Sequence, residues 1–342
     1  MADRVRIGLV GTGRIGRLHT RTLAQLVPDA EVVTVADFNR DAAESVASEF
    51  GIDTVTEDFD DILADDSIDA VVIASSTDTH APFIIDAAKA GKHIFCEKPI
   101  AADLAQIDAA LDAVRQAGVK LMIGFNRRFD PNYARVQQAI VDGEIGEPHL
   151  MHIISRDPAP PPIEYVRVSG GLFFDMTIHD FDMARFLLGD VEEVYAAAGV
   201  MVDPAIGEAG DIDTAVITLK FYNGAIGTID NSRKAVYGYD QRVEVFGSQG
   251  AVSSENIYPN TVTISGAQQV YRADLPLNFF IERYVPSYQN ELAAFVKSVR
   301  EDTTPPVTGA DGRAPVVMAM AALQSYRENR PVRLAEVDTR SG

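Results

Sequence analysis

The segment RIGLVGTGRIG, residues 6–16, joins a short apolar run to a glycine-rich turn. The apolar run predicts a buried strand, and the residues from about 15 to 26 predict a helix. Asp37 stands at the end of the next β-rich run, about 20 residues beyond the last glycine, as in the dinucleotide-binding fingerprint. The contacts predicted for a dinucleotide are Gly11, Thr12, Gly13, Arg14, Ile15, Gly16 and Asp37.

The aspartate at position 37 predicts NAD rather than NADP as the cofactor. Its carboxylate can accept hydrogen bonds from the ribose hydroxyls and would repel a 2′-phosphate. The glycines allow a close backbone approach, and the helix N-terminus offers N–H groups to the pyrophosphate. Arg40 lies close to Asp37 in the sequence and would weaken the preference. The alternative is a plain glycine turn followed by a solvated aspartate.

Strands and helices alternate through the first third of the chain. Further strands are predicted at about residues 32–36, 70–74, 93–96 and 120–125, with helices at about 40–50, 82–90 and 103–117. Apolar strands that alternate with capped helices are typical of a parallel sheet covered on both faces. Residues 1–125 are therefore expected to form a Rossmann domain of the α/β class, with a doubly wound parallel sheet.

The composition predicts a soluble globular protein and narrows the range of partners. The chain carries 30 basic and 50 acidic residues, and its net charge of −20 argues against nucleic acid or an anionic membrane as a partner. The single cysteine, Cys96, excludes an internal disulfide framework and suits a reducing compartment. No apolar run approaches the roughly 20 residues of a membrane span, and the first residues lack a signal-peptide pattern. A cytoplasmic protein is expected.

The segment GGLFFDMTIHDFD, residues 170–182, predicts an amphipathic helix that ends near Leu188, before Gly189. Asp175 and His179 stand at i and i+4, so they share one face, a turn apart. Histidine titrates near neutrality, and a nearby carboxylate orients it and favours its cation, which suits proton transfer. For this motif alone, the alternative is a helix end with solvated acids.

The sequence Glu97-Lys98-Pro99 follows the strand predicted at 93–96. Ligands of doubly wound sheets bind beyond the carboxyl ends of the strands, so Lys98 is expected at the cofactor crevice. Its ammonium group could stabilise negative charge on an alcohol oxygen that loses its proton. A surface lysine is the alternative.

These motifs, in their order along the chain, resemble the glucose–fructose oxidoreductase and inositol dehydrogenase family, most of all its inositol dehydrogenase branch. The resemblance covers nearly the whole chain. The glycine loop with Asp37, the E-K-P segment and the D-x-x-x-H segment are shared widely within the family. The segments that favour the inositol branch are GFNRRFD (124–130), SRDP (155–158) and YGYD (237–240).

The resemblance implies an activity and assigns roles to residues. It implies oxidation of a polyol or sugar alcohol with NAD or NADP, and with Asp37 we expect NAD-dependent oxidation of myo-inositol to 2-keto-myo-inositol (scyllo-inosose). The positions that match the family's catalytic residues are Lys98, Asp175 and His179, with His179 as the acid/base. The positions that match its substrate-binding residues are Arg127, Asp157 and Tyr237. The further positions expected near the cofactor are Ser75, His80, Glu97, Lys98 and Arg127.

Two points of the resemblance concern single positions. Asp157 stands where some relatives carry asparagine, which leaves the inositol isomer open. The Lys98–Pro99 bond is often cis in this family, and X-Pro bonds allow that isomer at low cost.

For residues 126–342, the resemblance implies an α+β domain with a large open antiparallel sheet, through which members form dimers or tetramers. The sequence itself predicts strands near 150–155, 191–202, 214–222, 225–232, 242–246, 261–264, 270–273 and 331–334. Asn223-Gly224 is a strong hairpin signal. Helices are predicted at about 131–142, 286–300 and 309–327, and the segment from about 305 to 342 is expected to pack back on the first domain.

Several alternatives remain for the substrate and for the class of function. Within the enzymes, they are dehydrogenases of scyllo-inositol, of D-chiro-inositol or of an aldose. From another class, the alternative is a non-catalytic NAD-binding sensor on the same scaffold, since a fold does not fix a function. No metal is expected, because the sequence contains neither H-E-x-x-H nor C-x-x-C.

Overall fold

The computed structural model describes residues 4–338, which fall into two compact units. The first unit runs to Phe129 and includes Pro286–Ala314. The second unit consists of Asp130–Val285 and the residues from Pro315 onward. Within the described part of the chain, no helix combines the length and the apolar character needed to cross a membrane.

The first unit contains a parallel sheet. Its strands are β1 (Val5–Val10), β2 (Ala30–Ala36), β3 (Thr54–Thr56), β4 (Ala70–Ile73), β5 (His93–Glu97) and β6 (Leu121–Gly124). They lie in the order β3-β2-β1-β4-β5-β6, and all neighbours are parallel. The order reverses between β1 and β4, so the carboxyl ends of these two strands flank the crevice where such sheets bind ligands. The predicted doubly wound parallel sheet is confirmed.

Helices connect these strands. They are α1 (Arg14–Leu26), α2 (Arg40–Phe50), α3 (Phe59–Ala64), α4 (Thr77–Lys89) and α5 (Leu104–Ala117). The side chains of Asn39, Asp58 and Asp103 accept hydrogen bonds from free N–H groups at the starts of α2, α3 and α5. The sequence did not predict β3 or α3, because three and six residues are too few to show a period.

The second unit contains a seven-stranded sheet and a separate two-stranded one. The strands are β7 (Pro148–Arg156), β8 (Val191–Gly199), β9 (Thr214–Phe221), β10 (Ile226–Ser232), β11 (Asp240–Gly247), β12 (Gly250–Ser254), β13 (Thr263–Ile264), β14 (Arg272–Ala273) and β15 (Val332–Arg333). The large sheet has the order β12-β11-β7-β10-β9-β8-β15, and β13 pairs with β14. Five of the six neighbouring pairs in the large sheet are antiparallel, whereas β7 and β10 are parallel.

The predicted antiparallel sheet is therefore confirmed apart from one pair. The connection between β7 and β10 is long and includes several helices and the β8–β9 hairpin. A crossover of that length lets two strands run in the same direction, which a tight turn does not.

The remaining helices lie between and after these strands. They are α6 (Pro131–Val141), α7 (Ile163–Val166), α8 (Leu172–Asp175), α9 (Thr177–Leu188), α10 (Pro204–Glu208), α11 (Phe280–Arg283), α12 (Val285–Arg300) and α13 (Gly309–Glu328), with 3₁₀ turns at Asn126–Phe129 and Leu334–Glu336. The short helices α7, α10 and α11 were not predicted, whereas α6, α12 and α13 lie close to their predicted positions. The helix α13 belongs to the first unit up to Ala314 and to the second unit from Pro315 onward.

Candidate active site

The glycine loop follows β1 and leads directly into α1. A Cβ on Gly11 would lie 2.4 Å from the backbone nitrogen of Ser75, and a Cβ on Gly16 would lie 1.7 Å from the carbonyl oxygen of Gly11. These two glycines are therefore required by the packing of the chain on itself. Gly13 differs, because a Cβ there would meet no protein atom within 4 Å. The open space in front of Gly13, at the N-terminus of α1, fits the pyrophosphate of a dinucleotide.

Asp37 follows β2 and holds the glycine loop in place. Its Oδ2 accepts hydrogen bonds from the backbone N–H of Thr12 at 2.7 Å and from the Thr12 hydroxyl at 2.8 Å, and its Oδ1 accepts from the N–H of Asn39 at 2.9 Å. A carboxylate has about four acceptor positions, so one remains on Oδ1. The half-buried Asp37 can therefore accept a ribose hydroxyl without releasing the loop.

Ser75 and His80 lie after β4, at the same carboxyl edge. The buried His80 ring contacts the carbonyl oxygen of Pro99 through Nδ1 at 2.8 Å and that of Ser75 through Nε2 at 3.2 Å. Burial lowers the pKa of His80, so the ring is neutral and donates only one hydrogen bond. His80 thus connects the loop after β4 to the loop after β5.

The Glu97 side chain turns into the protein and fixes the loop that carries Lys98. Its Oε1 lies 2.7 Å from Nε2 of the fully buried His19, and its Oε2 accepts the backbone N–H of Lys98 at 3.3 Å. Gly124 leaves room for this carboxylate, because a Cβ there would approach it to 3.1 Å. Lys98 itself is partly exposed, and the Lys98–Pro99 bond is cis. Arg127 lies in the turn after β6 and is 6% exposed.

In the second unit, the Asp175/His179 segment is two helices rather than one. Met176 (φ −98°, ψ −57°) ends α8 and begins α9, so the predicted continuous helix is wrong at this residue. The apolar spacing continues through the break, which is why the sequence does not reveal it. Asp175 and His179 are both partly exposed, whereas the residues between them are buried.

Asp175 receives a hydrogen bond on each carboxylate oxygen. The Tyr165 hydroxyl donates to Oδ1 at 2.8 Å, and Nη1 of Arg233 donates to Oδ2 at 3.1 Å. Two donors on different oxygens fix the plane of the carboxylate, and the hydrogen bond from the guanidinium is charge-assisted.

The start of α9 is attached to the large sheet through Asn231 of β10. The Thr177 hydroxyl donates to Oδ1 of Asn231 at 2.6 Å, and Nδ2 of Asn231 donates to Asp180 at 2.9 Å. Thr177, Asp180 and Asn231 are all fully buried. Since Thr177 and Asp180 flank His179 in the sequence, these bonds hold the backbone that presents the imidazole.

Asp157 lies just beyond β7, with its backbone held from two sides. Its N–H donates to the carbonyl oxygen of Ser232 at 2.9 Å, and its own carbonyl oxygen accepts from the N–H of Ala235 at 2.6 Å. The side chain is partly exposed. The loop after β10 is thereby connected to the end of β7.

Tyr237 lies in that loop and belongs to a network of charged groups. Its hydroxyl donates to Oδ2 of Asp240 at 2.6 Å and accepts from Nη1 of Arg156 at 2.9 Å. Burial and the bond to Asp240 raise the pKa of Tyr237. Burial alone would raise the pKa of Asp240, but hydrogen bonds from Arg242, Tyr237 and Asn256 hold it below its ordinary value. The phenol O–H therefore donates its hydrogen bond to Asp240, and one lone pair of the phenol oxygen remains for a ligand.

The predicted site residues fall into two groups. The first unit carries the predicted cofactor contacts, with Lys98 and Arg127, at the ends of β1, β2, β4, β5 and β6. The second unit carries Asp157, Asp175, His179 and Tyr237. Sequence reasoning missed the residues that support them, which are His19, Arg156, Tyr165, Asn231 and Arg233. The only signal for Arg233 was its place close before the YGYD segment.

Known proteins resemble the chain along nearly all of its length. The model described as an oxidoreductase family with an NAD-binding Rossmann fold matches residues 5–125, and that of the GFO/IDH/MocA C-terminal domain matches residues 133–253. The myo-inositol 2-dehydrogenase of Thermotoga maritima is 47% identical over 334 residues, which is 97% of this chain and 99% of that protein.

Solved structures show the same similarity. A myo-inositol dehydrogenase from Corynebacterium glutamicum is 40% identical, with a TM-score of 0.93 over 97% of this chain and 99% of its own. A scyllo-inositol dehydrogenase from Lactobacillus casei, with bound NAD(H) and scyllo-inositol, is 30% identical, with a TM-score of 0.91 over 97% of this chain and 100% of its own.

Proposed function

Because the chain belongs to the GFO/IDH/MocA family of oxidoreductases, we propose that it is an NAD-dependent dehydrogenase that oxidises myo-inositol to 2-keto-myo-inositol. The observation that carries this proposal is the near-full-length similarity to a myo-inositol 2-dehydrogenase. The residues that we assign to catalysis are Lys98, Asp175 and His179.

The residues of the first unit would hold the cofactor. The backbone at Gly13 and the start of α1 would receive the pyrophosphate, and Asp37 would accept a ribose hydroxyl. When bound, NAD supplies the acceptor for the hydride that the alcohol carbon loses. Negative charge at Asp37 disfavours a 2′-phosphate and therefore NADP.

We assign the acid–base step to His179. Its imidazole accepts the proton of the reacting hydroxyl, because histidine is the side chain whose ordinary pKa lies near neutrality. The Asp175 carboxylate, held by Arg233, favours the imidazolium that results. The ammonium of Lys98 stabilises the negative charge that develops on the alcohol oxygen.

The polar side chains assigned to substrate binding favour a ring with a hydroxyl on every carbon. Arg127 can only donate hydrogen bonds, Asp157 can only accept them, and Tyr237 has an acceptor position left. A simple alcohol offers a single hydroxyl to these groups and can bond to few of them. A polyhydroxylated ring can satisfy both donors and acceptors, so we infer a neutral cyclitol as the substrate.

The substrate proposal predicts the outcome of a parallel assay. NADH formation is followed by absorbance with myo-inositol, scyllo-inositol, D-chiro-inositol and glucose in parallel. We expect the highest kcat/KM with myo-inositol. A higher kcat/KM with another inositol would make that isomer the proposed substrate. Activity on glucose alone would mean that the substrate is an aldose rather than a cyclitol. A chain that binds NADH but oxidises none of them would support the sensor alternative.

The same assay with NADP in place of NAD tests the role of Asp37. Turnover with NADP is expected to be clearly lower, because the carboxylate would repel the 2′-phosphate. Equal turnover with the two cofactors would contradict that role and leave the substrate assignment intact.

We further propose that the chain forms a homo-oligomer through the outer face of the seven-stranded sheet. Leu150 of β7 is in register with Ile226 of β10 on one side and with Phe246 of β11 on the other. All three side chains are about half exposed, at 52%, 47% and 48%. They form a contiguous apolar patch, and such patches are typical of surfaces that bind another protein. A second copy of the chain is the partner that we infer, because the same patch on two copies is self-complementary about a twofold axis.

Charge placed in this patch is expected to weaken the assembly. We predict that the wild-type protein has the mass of a dimer or tetramer by size-exclusion chromatography with light scattering, and that Leu150→Asp lowers it, because the interface would bury an unpaired carboxylate. Val141→Asp, on an exposed residue at the end of α6, is the matched control and should leave the mass unchanged. A monomeric wild type would refute the proposal.

A further inference from the structure

Arg233 is a fully buried cation directly after β10. Its side chain is 1% exposed, and its backbone N–H donates to the carbonyl oxygen of Asp213 at 2.9 Å. A guanidinium that cannot reach water must be compensated by carboxylates or other acceptors, because the desolvation cost of an unpaired charge is large. The groups around Arg233 therefore indicate what holds it there.

Two carboxylates lie beside this guanidinium. Nη1 donates to Oδ2 of Asp175 at 3.1 Å, and Nη2 lies 3.9 Å from Oδ2 of Asp211. The other oxygen of Asp211 accepts the backbone N–H of Leu172, the first residue of α8, at 3.0 Å. Arg233 thus lies between the carboxylate that caps the start of α8 and the carboxylate of its last residue.

The helix α8 has only four residues, so its own hydrogen bonds stabilise it little. Its start is further constrained by Gly171, where φ is +89° and a Cβ would lie 2.8 Å from Oδ1 of Asp211. The position of Asp175 is therefore set by groups outside the helix, and the buried guanidinium is one that contacts its carboxylate directly.

We propose that Arg233 is a positioning residue for the dehydrogenase reaction, which holds the carboxylate of Asp175 in its working orientation. This inference rests on the proposed function of Asp175. Arg233 donates to Oδ2 while Tyr165 donates to Oδ1, so the two oxygens of the carboxylate are held by different groups. The planar fork of arginine fixes direction as well as charge, which a lysine would not.

Arg283 provides a matched comparison in the same unit. It is 3% exposed and pairs with the buried carboxylate of Asp130. Asp130 accepts N–H groups at the start of α6, so this pair supports a helix that carries none of the proposed catalytic residues. Loss of Arg283 takes the cation from the buried Asp130 carboxylate, and loss of Arg233 takes it from the partly exposed Asp175, so both substitutions are expected to lower the unfolding temperature.

The test is a double-mutant cycle on kcat, with Arg233→Met, Asp175→Asn and the pair. Arg233→Met is expected to lower kcat by about 10²-fold, the loss typical of a misplaced catalytic group, while KM for NAD changes little. If Arg233 acts through Asp175, the kcat of the double variant should lie less than about threefold below the kcat of Asp175→Asn alone. Arg233→Lys should retain part of the rate. Arg283→Met should lower stability and show no coupling to Asp175→Asn.

Independent, multiplying effects of Arg233→Met and Asp175→Asn would overturn the proposal, as would equal coupling for Arg283→Met. If Arg233→Met does not fold, Arg233→Lys takes its place in the cycle. If the wild type oxidises no inositol, the substrate proposal fails by itself, and the cycle is run on the alcohol that the parallel assay identifies. A crystal structure of Arg233→Met gives a readout without turnover: an Asp175 carboxylate in its original orientation would contradict the proposal.

Discussion

Replacing His179 with alanine is expected to lower kcat by about 10²–10⁴-fold, the range in which a general acid–base group contributes. The imidazole follows a helix break at Met176 and is partly exposed between buried neighbours. Thr177 and Asp180, on either side of it, are attached to Asn231 of the sheet. The backbone is thus fixed independently of the imidazole, and the substitution should remove the proton acceptor without displacing α9.

Binding of NADH is the control for this variant. The predicted cofactor contacts belong to the first unit, so this substitution should leave NADH binding nearly unchanged. The dissociation constant for NADH, measured by fluorescence titration, should stay within about threefold of the wild-type value. A tenfold change would correspond to about 1.4 kcal/mol of binding free energy. The unfolding temperature should also be retained. If His179→Ala turned over myo-inositol at nearly the wild-type rate near neutral pH, His179 would have a structural role only.

The fold was predictable where the chain repeats a local pattern. The apolar runs before Gly11 and at 70–74 each predicted a buried parallel strand, and the structure has β1 and β4 there. The parallel pairing of β7 with β10 was not predictable, because the register Leu150 with Ile226 depends on where a long connection returns the chain. The break at Met176 was hidden for a different reason, since helical spacing continues on both sides of it.

The candidate site was predictable to the same extent. The prediction that Asp175 and His179 act together came from their spacing of four residues, which a helix would place on one face. Arg233 is 58 residues from Asp175, and Tyr165 precedes it by ten residues across a glycine pair. No period links residues at such distances, so contacts made by tertiary folding cannot be inferred from one sequence. The residues to which we assign chemistry come from sequence motifs, whereas the residues that contact and orient Asp175 became visible only in the structure.

Lys98 supplies the second large effect. Lys98→Met is expected to lower kcat by about 10²–10³-fold, the loss typical of removing one group that stabilises a developing oxyanion. The lysine directly follows β5, at the carboxyl edge where ligands of such sheets bind. Its backbone N–H is bound to Glu97, whose other oxygen contacts the buried His19. The loop is held by these contacts, and methionine should leave it in place.

Lys89→Met is the matched control for this substitution. Lys89 is the last residue of α4 in the same unit, largely exposed and paired with Asp86 at 3.3 Å. Removing this surface cation should leave kcat unchanged, because exposed ion pairs of this kind contribute little. Steady-state kinetics with myo-inositol as the varied substrate separate the two variants, since only Lys98→Met should lose kcat. If Lys98→Met raised KM for myo-inositol and kept kcat, the ammonium would serve in binding the ground state, and its proposed role toward the developing alkoxide would be wrong.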